Sequence, residues 1–584
     1  MSALAAALRN AYNQAVVPTS FPFRVPSGLK RARRLAARAG LTIVIALSIA
    51  FCARGQSADG GAVTPSAADR GRILLVLPFD NRTGQPSLEW IREAAADLLS
   101  SRFGSAGFEP MSRADRRYAL DHLGLPQGFQ PSRASSLKLA LTLDADSIVV
   151  GSYITDGPGI VAEARLVDVP RLRMSEAVTA RGQMKDLIAV FDSLAWKLTR
   201  QLDPGISVAE DTFIAAGAGL RLDAFEQYIR GITEPDQAER LRHLQQAVRL
   251  SPGFGPAWMA LGREDYSGQQ YEQAADAFAK VDKNDPDALE AGYYRGLSLL
   301  FSGDYAKAEQ AFAAVARILP LAEVVNNEGV AVSRQGHDGT GLFVQAAADD
   351  PNSADYHFNL AVSLRHHGQT PGALNELVQC LKLRPSDSEA LALQAAWKQP
   401  AAQSGTRSAA PPTPVAATPN AGADAEPAPD PLERIVRSFD AAAFRQAALM
   451  LDQVDDARLA ALTPLERAQK LAAQARTYLD RGLLLEAERL YQAAVAADGN
   501  CAEAHAGLAQ VRERTGDAGD ARIEAHQALE LRPSADAYLV LGRLDLEANH
   551  ISDANNDAAA ALKLEPASQA AHELSRQVQA RAGH

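Results

Sequence analysis

The sequence predicts an α+β multidomain protein, in which a small mixed α/β domain precedes two all-α solenoid arrays. Strand-like and helix-like runs alternate between residues 72 and 202. Small residues then recur at intervals of about 34 residues over most of the remaining chain. Aromatic residues make up only 6% of a chain that is 47% hydrophobic. A core built mainly from alanine and leucine favours closely packed helices over sheets.

Composition and pattern divide the chain into segments with different expected roles. The net charge of -11 argues against a general nucleic-acid binder, because phosphate contact needs a concentrated basic surface. The predicted segments are a basic leader (1–58), a mixed α/β domain (71–203), a first helical array (223–398), a disordered linker rich in proline and alanine (399–430), and a second array with a C-terminal capping helix (431–584).

The leader places a basic stretch, residues 30–38, before an uninterrupted apolar run, residues 41–53. This order is typical of a secretory signal. The apolar run has 13 residues, whereas a helix needs roughly 20 to cross the hydrocarbon core of a membrane. We therefore expect an exported, periplasmic protein. It would be soluble if the leader is cleaved, and tethered to the inner membrane through residues 41–53 if it is not.

The α/β domain is expected to contain short strands and amphipathic helices that alternate. The predicted order is strand 72–79, turn 80–84, helix 86–103, strand 107–112, helices 113–121 and 132–143, strand 145–154, a hairpin over 159–182 and a closing helix over 184–202. Asp80, Asn81 and Asp168 are interpreted as turn residues rather than as an acid–base or metal site.

Three stretches of this domain resemble the TolB-like N-terminal domain, an α/β module found in envelope proteins. They are Leu77-Pro78-Phe79-Asp80-Asn81, residues 145–152, and Ala164-Arg165-Leu166-Val167-Asp168. The resemblance covers residues 72–202. It implies an assembly or docking role and no catalytic residue.

The helical arrays carry a repeat of paired helices. Residues 255–288 hold Trp258, Leu261, Gly262, Ala274, Phe278 and Pro286. These residues fit the spacing W-x2-L-G, A-x3-F and a final proline. Small residues are needed where the two helices of a unit cross, and proline ends the second helix. Over roughly 320 residues the chain resembles the tetratricopeptide repeat family. The second array is expected to begin with a degenerate helical hairpin over 432–456.

The resemblance implies that a partner protein or peptide binds in the concave groove formed by the first helices of successive repeats. Carboxylate capture by lysines is not expected, because Met259, Tyr293 and Phe358 occupy the lysine positions. Aligned to the repeat, the groove candidates of the first array are Met259, Arg263, Tyr266, Tyr293, Leu297, Asn326, Val330, Phe358, Asn359, Val362 and Arg365. Those of the second array are Arg476, Gln510, Arg514 and Arg543.

No catalytic, cofactor or metal site is expected, because no nucleophile–base pattern, phosphate loop or metal-ligand spacing occurs. The sequence thus favours a non-enzymatic protein–protein interaction scaffold of the bacterial cell envelope. One alternative is a sensory or regulatory subunit that acts through a separate effector protein. Another is an enzyme whose repeats present substrate to the α/β domain, for which the sequence offers no cleft of titratable residues.

Overall fold

The computed structural model describes residues 73–125, 133–283, 285–398, 431–437 and 458–582, which belong to one compact unit. The predicted leader and linker lie outside these residues, as does most of the helical hairpin predicted over 432–456. Within the described ranges, every helix is too short or too polar to cross a membrane.

A mixed sheet forms the centre of the N-terminal region. Its strands are β1 (Ile73–Val76), β2 (Asp80–Asn81), β3 (Glu109–Pro110), β4 (Ser147–Asp156), β5 (Gly159–Asp168), β6 (Arg173–Met174) and β7 (Val178–Gln183). β1 is parallel to β3 and β4, whereas β5 is antiparallel to β4, β6 and β7. The β4–β5 hairpin turns through Gly157, whose φ of +57° favours glycine.

Helices cover both faces of this sheet. They are α1 (Ile91–Ser105), α2 (Arg113–His122), α3 (Arg133–Thr142) and α4 (Leu187–Leu202). Leu74 and Val76 of β1 share one core cluster with residues of α1 and α4. Leu75 points to the opposite face and packs with residues of α2 and α3. The alternation of side chains along β1 therefore produces a three-layer α/β/α sandwich.

Two strands differ from the prediction. The strand predicted over 72–79 ends at Val76, and the predicted turn residues Asp80 and Asn81 form β2, which pairs with β4. Pro78 lies between them and has no N–H to donate to the ladder. The second arm of the predicted hairpin is divided into the two strands β6 and β7. Directly after β6, the Ser175 hydroxyl accepts the N–H of Leu166 in place of a main-chain carbonyl.

The helices of the first array follow a connecting helix, α5 (Glu210–Gly217). They are α6 (Leu222–Thr233), α7 (Gln237–Leu250), α8 (Gly255–Ser267), α9 (Tyr271–Phe278), α10 (Ala288–Ser302), α11 (Tyr305–Ile318), α12 (Ala322–Arg334), α13 (Thr340–Asp349), α14 (Ala354–His366), α15 (Thr370–Leu383) and α16 (Ser388–Lys398).

The second array contains α17 (Pro464–Asp480), α18 (Leu484–Ala497), α19 (Ala502–Thr515), α20 (Ala518–Leu531), α21 (Ala535–Glu547), α22 (Ile551–Leu564) and α23 (Gln569–Ala582). The expected hairpin that begins at residue 432 is wrong in its first part, because residues 431–437 are not helical.

Close helix crossings explain the recurring small residues. A Cβ added to Gly262 would lie 2.7 Å from the ring of Phe278, and one added to Gly296 would lie 2.7 Å from the ring of Phe312. Both rings are nearly inaccessible to solvent. The paired helices of these units can therefore approach only because glycine has no side chain.

The second array lies against α5. Glu488 of α18 is fully buried and accepts hydrogen bonds from the Thr212 hydroxyl and, at 3.2 Å, from the Ala209 N–H. Arg512 of α19 also pairs with it, at 2.6 Å. Burial raises the pKa of Glu488, although Arg512 opposes the shift. Because α5 follows the sheet domain directly in the chain, this contact folds the second array back toward the N-terminal region.

Near the start of the first helix of several repeats, the side chain at one position donates a hydrogen bond from a ring N–H to the main chain of the preceding loop. Trp258 Nε1 donates to the carbonyl oxygen of Pro252 at 2.8 Å. In other repeats a histidine takes this place: Nε2 of His357, His505 and His572 lies 3.1, 3.1 and 2.9 Å from the carbonyl oxygen six residues earlier. Histidine thus substitutes for the indole donor of tryptophan.

This arrangement predicts a pH-dependent stability. His505 Nδ1 lies 2.6 Å from Glu524, and this hydrogen bond raises the pKa of His505 above its ordinary value. Because the pKa of His505 is higher in the folded protein than in the unfolded chain, its pair with Glu524 stabilises the folded protein fully below the unfolded pKa of about 6.5. This stabilisation is lost as pH rises through the folded-state pKa. We expect Glu524→Gln to lower the unfolding free energy by on the order of 1 kcal/mol at low pH, and by less at high pH.

Thermal unfolding between about pH 5.5 and 8.5 measures this effect. Glu530→Gln serves as the control, because Glu530 is an exposed residue of the same helix, α20. A Glu524→Gln destabilisation that does not change with pH would show that the charged pair has no role.

Candidate functional site

A non-helical stretch of the chain, residues 431–437, occupies the groove of the first array. We call it the groove segment. It contacts α10, α12, α14 and the start of α16 through its main chain and through the side chains of Glu433 and Arg434. The groove in which a partner was predicted to bind therefore holds a segment of this same chain.

Asparagine side chains bind the main chain of the groove segment. Asn359 accepts from the Arg434 N–H at 2.6 Å and donates to the Arg434 carbonyl at 2.7 Å. Asn327 does the same for Val436, at 3.0 and 2.8 Å. Arg434 and Val436 are two residues apart, and both present their main-chain N–H and C=O groups to the same side. The segment is therefore extended between them. Each carboxamide satisfies one N–H and one C=O, as a neighbouring β-strand would.

The asparagines are held in place by one another and by Tyr293. Asn359 donates to the Asn326 oxygen at 2.8 Å, and Asn326 donates to the Asn327 oxygen at 3.2 Å. The Tyr293 hydroxyl donates to the Val436 carbonyl at 2.7 Å and accepts from Asn327 at 3.1 Å. All four of these groove side chains are fully buried. A connected and satisfied polar network of this kind fixes the direction of every carboxamide.

Two charged side chains of the groove segment have their own partners. Glu433 is buried and accepts from the Ser333 hydroxyl and from Arg334 Nε, the latter at 3.3 Å. Arg334 also donates to the Glu433 carbonyl at 3.1 Å.

Arg434 enters what we call the arginine pocket, formed by Asp355, Phe358, Asp387 and Glu389. Its guanidinium carbon lies 3.6 Å from the centre of the Phe358 ring. Its two terminal nitrogens bind both oxygens of Asp387, at 2.7 and 2.9 Å. They also reach Asp355 at 3.0 Å and Glu389 at 2.9 Å.

The electrostatics of the arginine pocket favour the bound cation. Hydrogen bonding from Arg434 lowers the pKa of Asp387 to about 2. Burial alone would raise the pKa of Asp355, but hydrogen bonds from Arg384 and Arg434 lower it overall. Both aspartates are therefore ionised at neutral pH.

Among the predicted groove residues, the structure brings four together around the groove segment: Tyr293, Asn326, Phe358 and Asn359. They come from three successive repeats. They provide one hydroxyl, two carboxamides and one aromatic face, which together bind both the main chain and the arginine of the segment.

The other candidates of the first array make contacts of a different kind. Arg263 pairs with Glu290 at 2.5 Å, Tyr266 packs against other aromatic rings, and Arg365 lies over the ring of Trp397 at 5.9 Å. Four further candidates are at most 1% exposed with the groove segment in place: Met259, Leu297, Val330 and Val362.

In the second array, the predicted residues mostly bridge helices. Arg514 donates to the Leu479 carbonyl at 2.9 Å, Arg543 pairs with Glu513, and Gln510 is buried. Arg476 lines an open cleft of about 540 Å³. It pairs there with Asp536 at 2.6 Å.

The sequence reasoning missed several residues that bind the groove segment: Asn327, Ser333, Arg334, Asp355, Asp387 and Glu389. One signal could have found the first of them. Asn327 and Asn359 hold the same position in successive repeats, 32 residues apart because the intervening unit is short. The corresponding positions of the second array hold Ala473, Gly507 and Val540, which cannot bind a main chain in this way.

The described residues offer little to covalent chemistry. No group of three or more histidine, cysteine, aspartate or glutamate side chains within them could hold a metal ion. Cys380 and Cys501 are buried, and burial raises the pKa of both thiols. A thiol with a raised pKa is a poor nucleophile at neutral pH.

Comparison with solved structures finds proteins similar to parts of the chain. YrrB, described as a tetratricopeptide repeat protein with an unusual peptide-binding site, is 16% identical. That match covers 35% of this chain and 99% of that one, with a TM-score of 0.27. A MamA structure from Desulfovibrio magneticus RS-1 is 20% identical, covering 31% and 99% with a TM-score of 0.25. The LpoB C-terminal domain from Salmonella enterica is 20% identical, covering 20% and 84% with a TM-score of 0.18.

Likeness at these scores carries no argument about function. No curated protein matches the sequence. The TolB-like resemblance of residues 72–202 stays a prediction. The family model of the tetratricopeptide repeat matches two segments, residues 259–323 and 472–536. The chain therefore contains tetratricopeptide repeats in both of its helical arrays.

Proposed function

We propose that this protein is a non-enzymatic interaction scaffold of the bacterial cell envelope, whose first array binds an extended peptide segment of a partner protein. The observation that supports the proposal is the pairing of Asn327 and Asn359 with the main chain of the groove segment. Main-chain recognition of this kind serves any extended ligand that lacks proline at the paired positions. Tetratricopeptide repeats generally mediate protein–protein interactions, which agrees with this role.

The envelope location rests on the predicted leader. A basic stretch followed by an apolar run at residues 41–53 predicts export across the inner membrane. The partner would accordingly be a periplasmic protein or the periplasmic part of a membrane protein.

A regulatory subunit is the second candidate, and the occupied groove is the observation that favours it. A groove that already holds a segment of its own chain can exist in a closed and an open state. A partner that binds only the open state would shift the balance between them.

A photo-crosslinking pull-down from envelope fractions tests the scaffold proposal. We expect Asn327→Ala combined with Asn359→Ala to reduce recovery of a groove partner at least tenfold, because four main-chain hydrogen bonds of about 0.5–1.5 kcal/mol each are lost. The matched control is Asn555→Ala combined with Asn556→Ala, two exposed asparagines of α22. Recovery of the same proteins from the wild type, the groove variant and the control would contradict groove binding.

A further inference from the structure

The arginine pocket is built for a guanidinium group. Asp387 binds Arg434 with both oxygens, and Phe358 stacks on the guanidinium plane at 3.6 Å. A planar fork with several fixed donors matches this set of acceptors, whereas the ammonium of lysine is a compact point charge without a face to stack. The pocket therefore distinguishes arginine from lysine by shape as well as by charge.

The charges of the pocket require a cation in it. Asp355 and Asp387 also bind Arg384, at 2.8 and 3.5 Å, and Glu389 adds a third carboxylate. With Arg434 removed, three carboxylates would share the single charge of Arg384. With Arg434 in place, the side chain of Asp387 is only 5% exposed, so its negative charge is paired in a nearly water-free site.

The site for the residue that precedes the arginine favours an acidic side chain. Glu433 meets Ser333 and Arg334, and its side chain is only 3% exposed. The main-chain contacts then continue to Val436. A ligand that makes all of these contacts is an extended peptide with glutamate and then arginine, followed by two residues of which the second is bound through its main chain.

We propose that the first groove is an arginine-selective reader of extended peptides that contain Glu-Arg, and that the groove segment is an internal copy of the ligand which a partner peptide must displace. This inference rests on the proposed function, since it takes the groove to be a peptide-binding site. Its new content is the sequence chemistry of the partner and the competition by residues 431–437.

The competition follows from the connection between the segment and the groove. Only 32 residues, 399–430, separate the end of α16 from the groove segment. A ligand carried on the same chain by a connection of this length has an effective concentration on the order of millimolar. The apparent dissociation constant of a free peptide rises in proportion as the open fraction of the groove falls.

The test uses the full-length chain and a fluorescent peptide that copies residues 430–438. Binding is measured by fluorescence anisotropy. We expect the peptide to bind the Arg434→Ala chain at least tenfold more tightly than the wild type, because the internal competitor has lost its anchor. A peptide carrying the Arg434→Lys change should bind the Arg434→Ala chain at least tenfold more weakly than the unchanged peptide.

Arg437→Ala is the matched control for the internal segment. Arg437 is exposed and its guanidinium lies 4.8 Å from the centre of the Phe301 ring. We expect this variant to bind the peptide within about fivefold of the wild type, since exposed cation–π contacts are weak. Circular dichroism shows whether each variant is folded.

The outcomes separate the two proposals. In one outcome, the arginine and lysine peptides bind the Arg434→Ala chain equally, and both lose binding when Asn327→Ala and Asn359→Ala are added. That result would overturn arginine selectivity and leave groove binding intact. Absence of binding by either peptide to the folded Arg434→Ala chain would overturn both proposals. A wild-type dimer that Arg434→Ala dissociates would overturn the internal competition, because the segment would then occupy the groove of a second copy.

Discussion

Replacing Arg102 with methionine is expected to lower the unfolding free energy by about 3–5 kcal/mol at neutral pH. Arg102 of α1 donates from Nε to Asp192 of α4 at 2.7 Å. Asp192 is fully buried, and its second oxygen has no hydrogen-bond partner among the described residues. Burial raises the pKa of Asp192 to about 6 even with Arg102 beside it. Without Arg102, a buried carboxylate would have no opposite charge.

The destabilisation should depend on pH in a defined direction. Because the folded-state pKa of Asp192 is already raised, its protonated form is favoured in the folded protein below about pH 6. An uncharged carboxyl group is much less costly to bury than a carboxylate. The loss caused by Arg102→Met should therefore shrink as pH falls from neutral toward about pH 5.

Urea unfolding of the wild type, Arg102→Met and the double variant Arg102→Met with Asp192→Leu measures both effects. The double variant should recover most of the lost stability, since apolar pairs often replace buried ion pairs without loss. If the single and double variants were equally unstable, packing at this site rather than the unpaired carboxylate would be responsible.

Replacing Gly507 with alanine is expected to destabilise the second array by about 1–3 kcal/mol, as overpacking of a filled core does. A Cβ on Gly507 of α19 would lie 2.1 Å from the Tyr491 ring. Tyr491 is 2% exposed, and its rigid ring packs directly against this position. In a helix without this contact, the same change stabilises by roughly 0.5–1 kcal/mol. The clash therefore reverses the usual sign.

Gly341→Ala provides the matched control. Gly341 lies in the first turn of α13, and a Cβ there would meet no atom within 4 Å. Thermal unfolding should show a lower midpoint for Gly507→Ala and an unchanged or higher midpoint for Gly341→Ala. A Gly507→Ala midpoint at or above that of the wild type would mean that α18 and α19 can separate at little cost.

Sequence patterns predicted the structure best where the same packing requirement recurs in every repeat. Gly262 and Gly296 had to be small because a helix crosses there, and both meet a buried aromatic ring. The prediction of tetratricopeptide repeats was confirmed in residues 259–323 and 472–536 because this requirement recurs in each unit. The ends of strands were harder to predict. The chain leaves the sheet at Pro78 and rejoins it at Asp80, where β2 pairs with β4, and this pairing is not visible in the local sequence.

The occupant of the groove could not be predicted from local pattern. The stretch Leu432-Glu433-Arg434-Ile435-Val436 has charged and apolar residues that also suit a helix, and its pattern predicts the start of the second array. Its extended form depends on Asn327 and Asn359, which lie about a hundred and about seventy-five residues earlier. Tertiary contacts of this kind override local helix preference.

The contacts of the second-array candidates were also not predictable from the repeat alignment. Alignment to the repeat places Arg514 and Arg543 on first helices, but it does not show which of their neighbours are charged or have free carbonyls. Both arginines are used to join successive repeats.

The groove segment and α18 are each bound by residues that come before the segment 399–430 in the chain. The first array holds residues 431–437, and Thr212 and Ala209 hold Glu488 of α18. Scission of the backbone anywhere between residues 398 and 431 would therefore leave the two fragments joined through both sets of contacts.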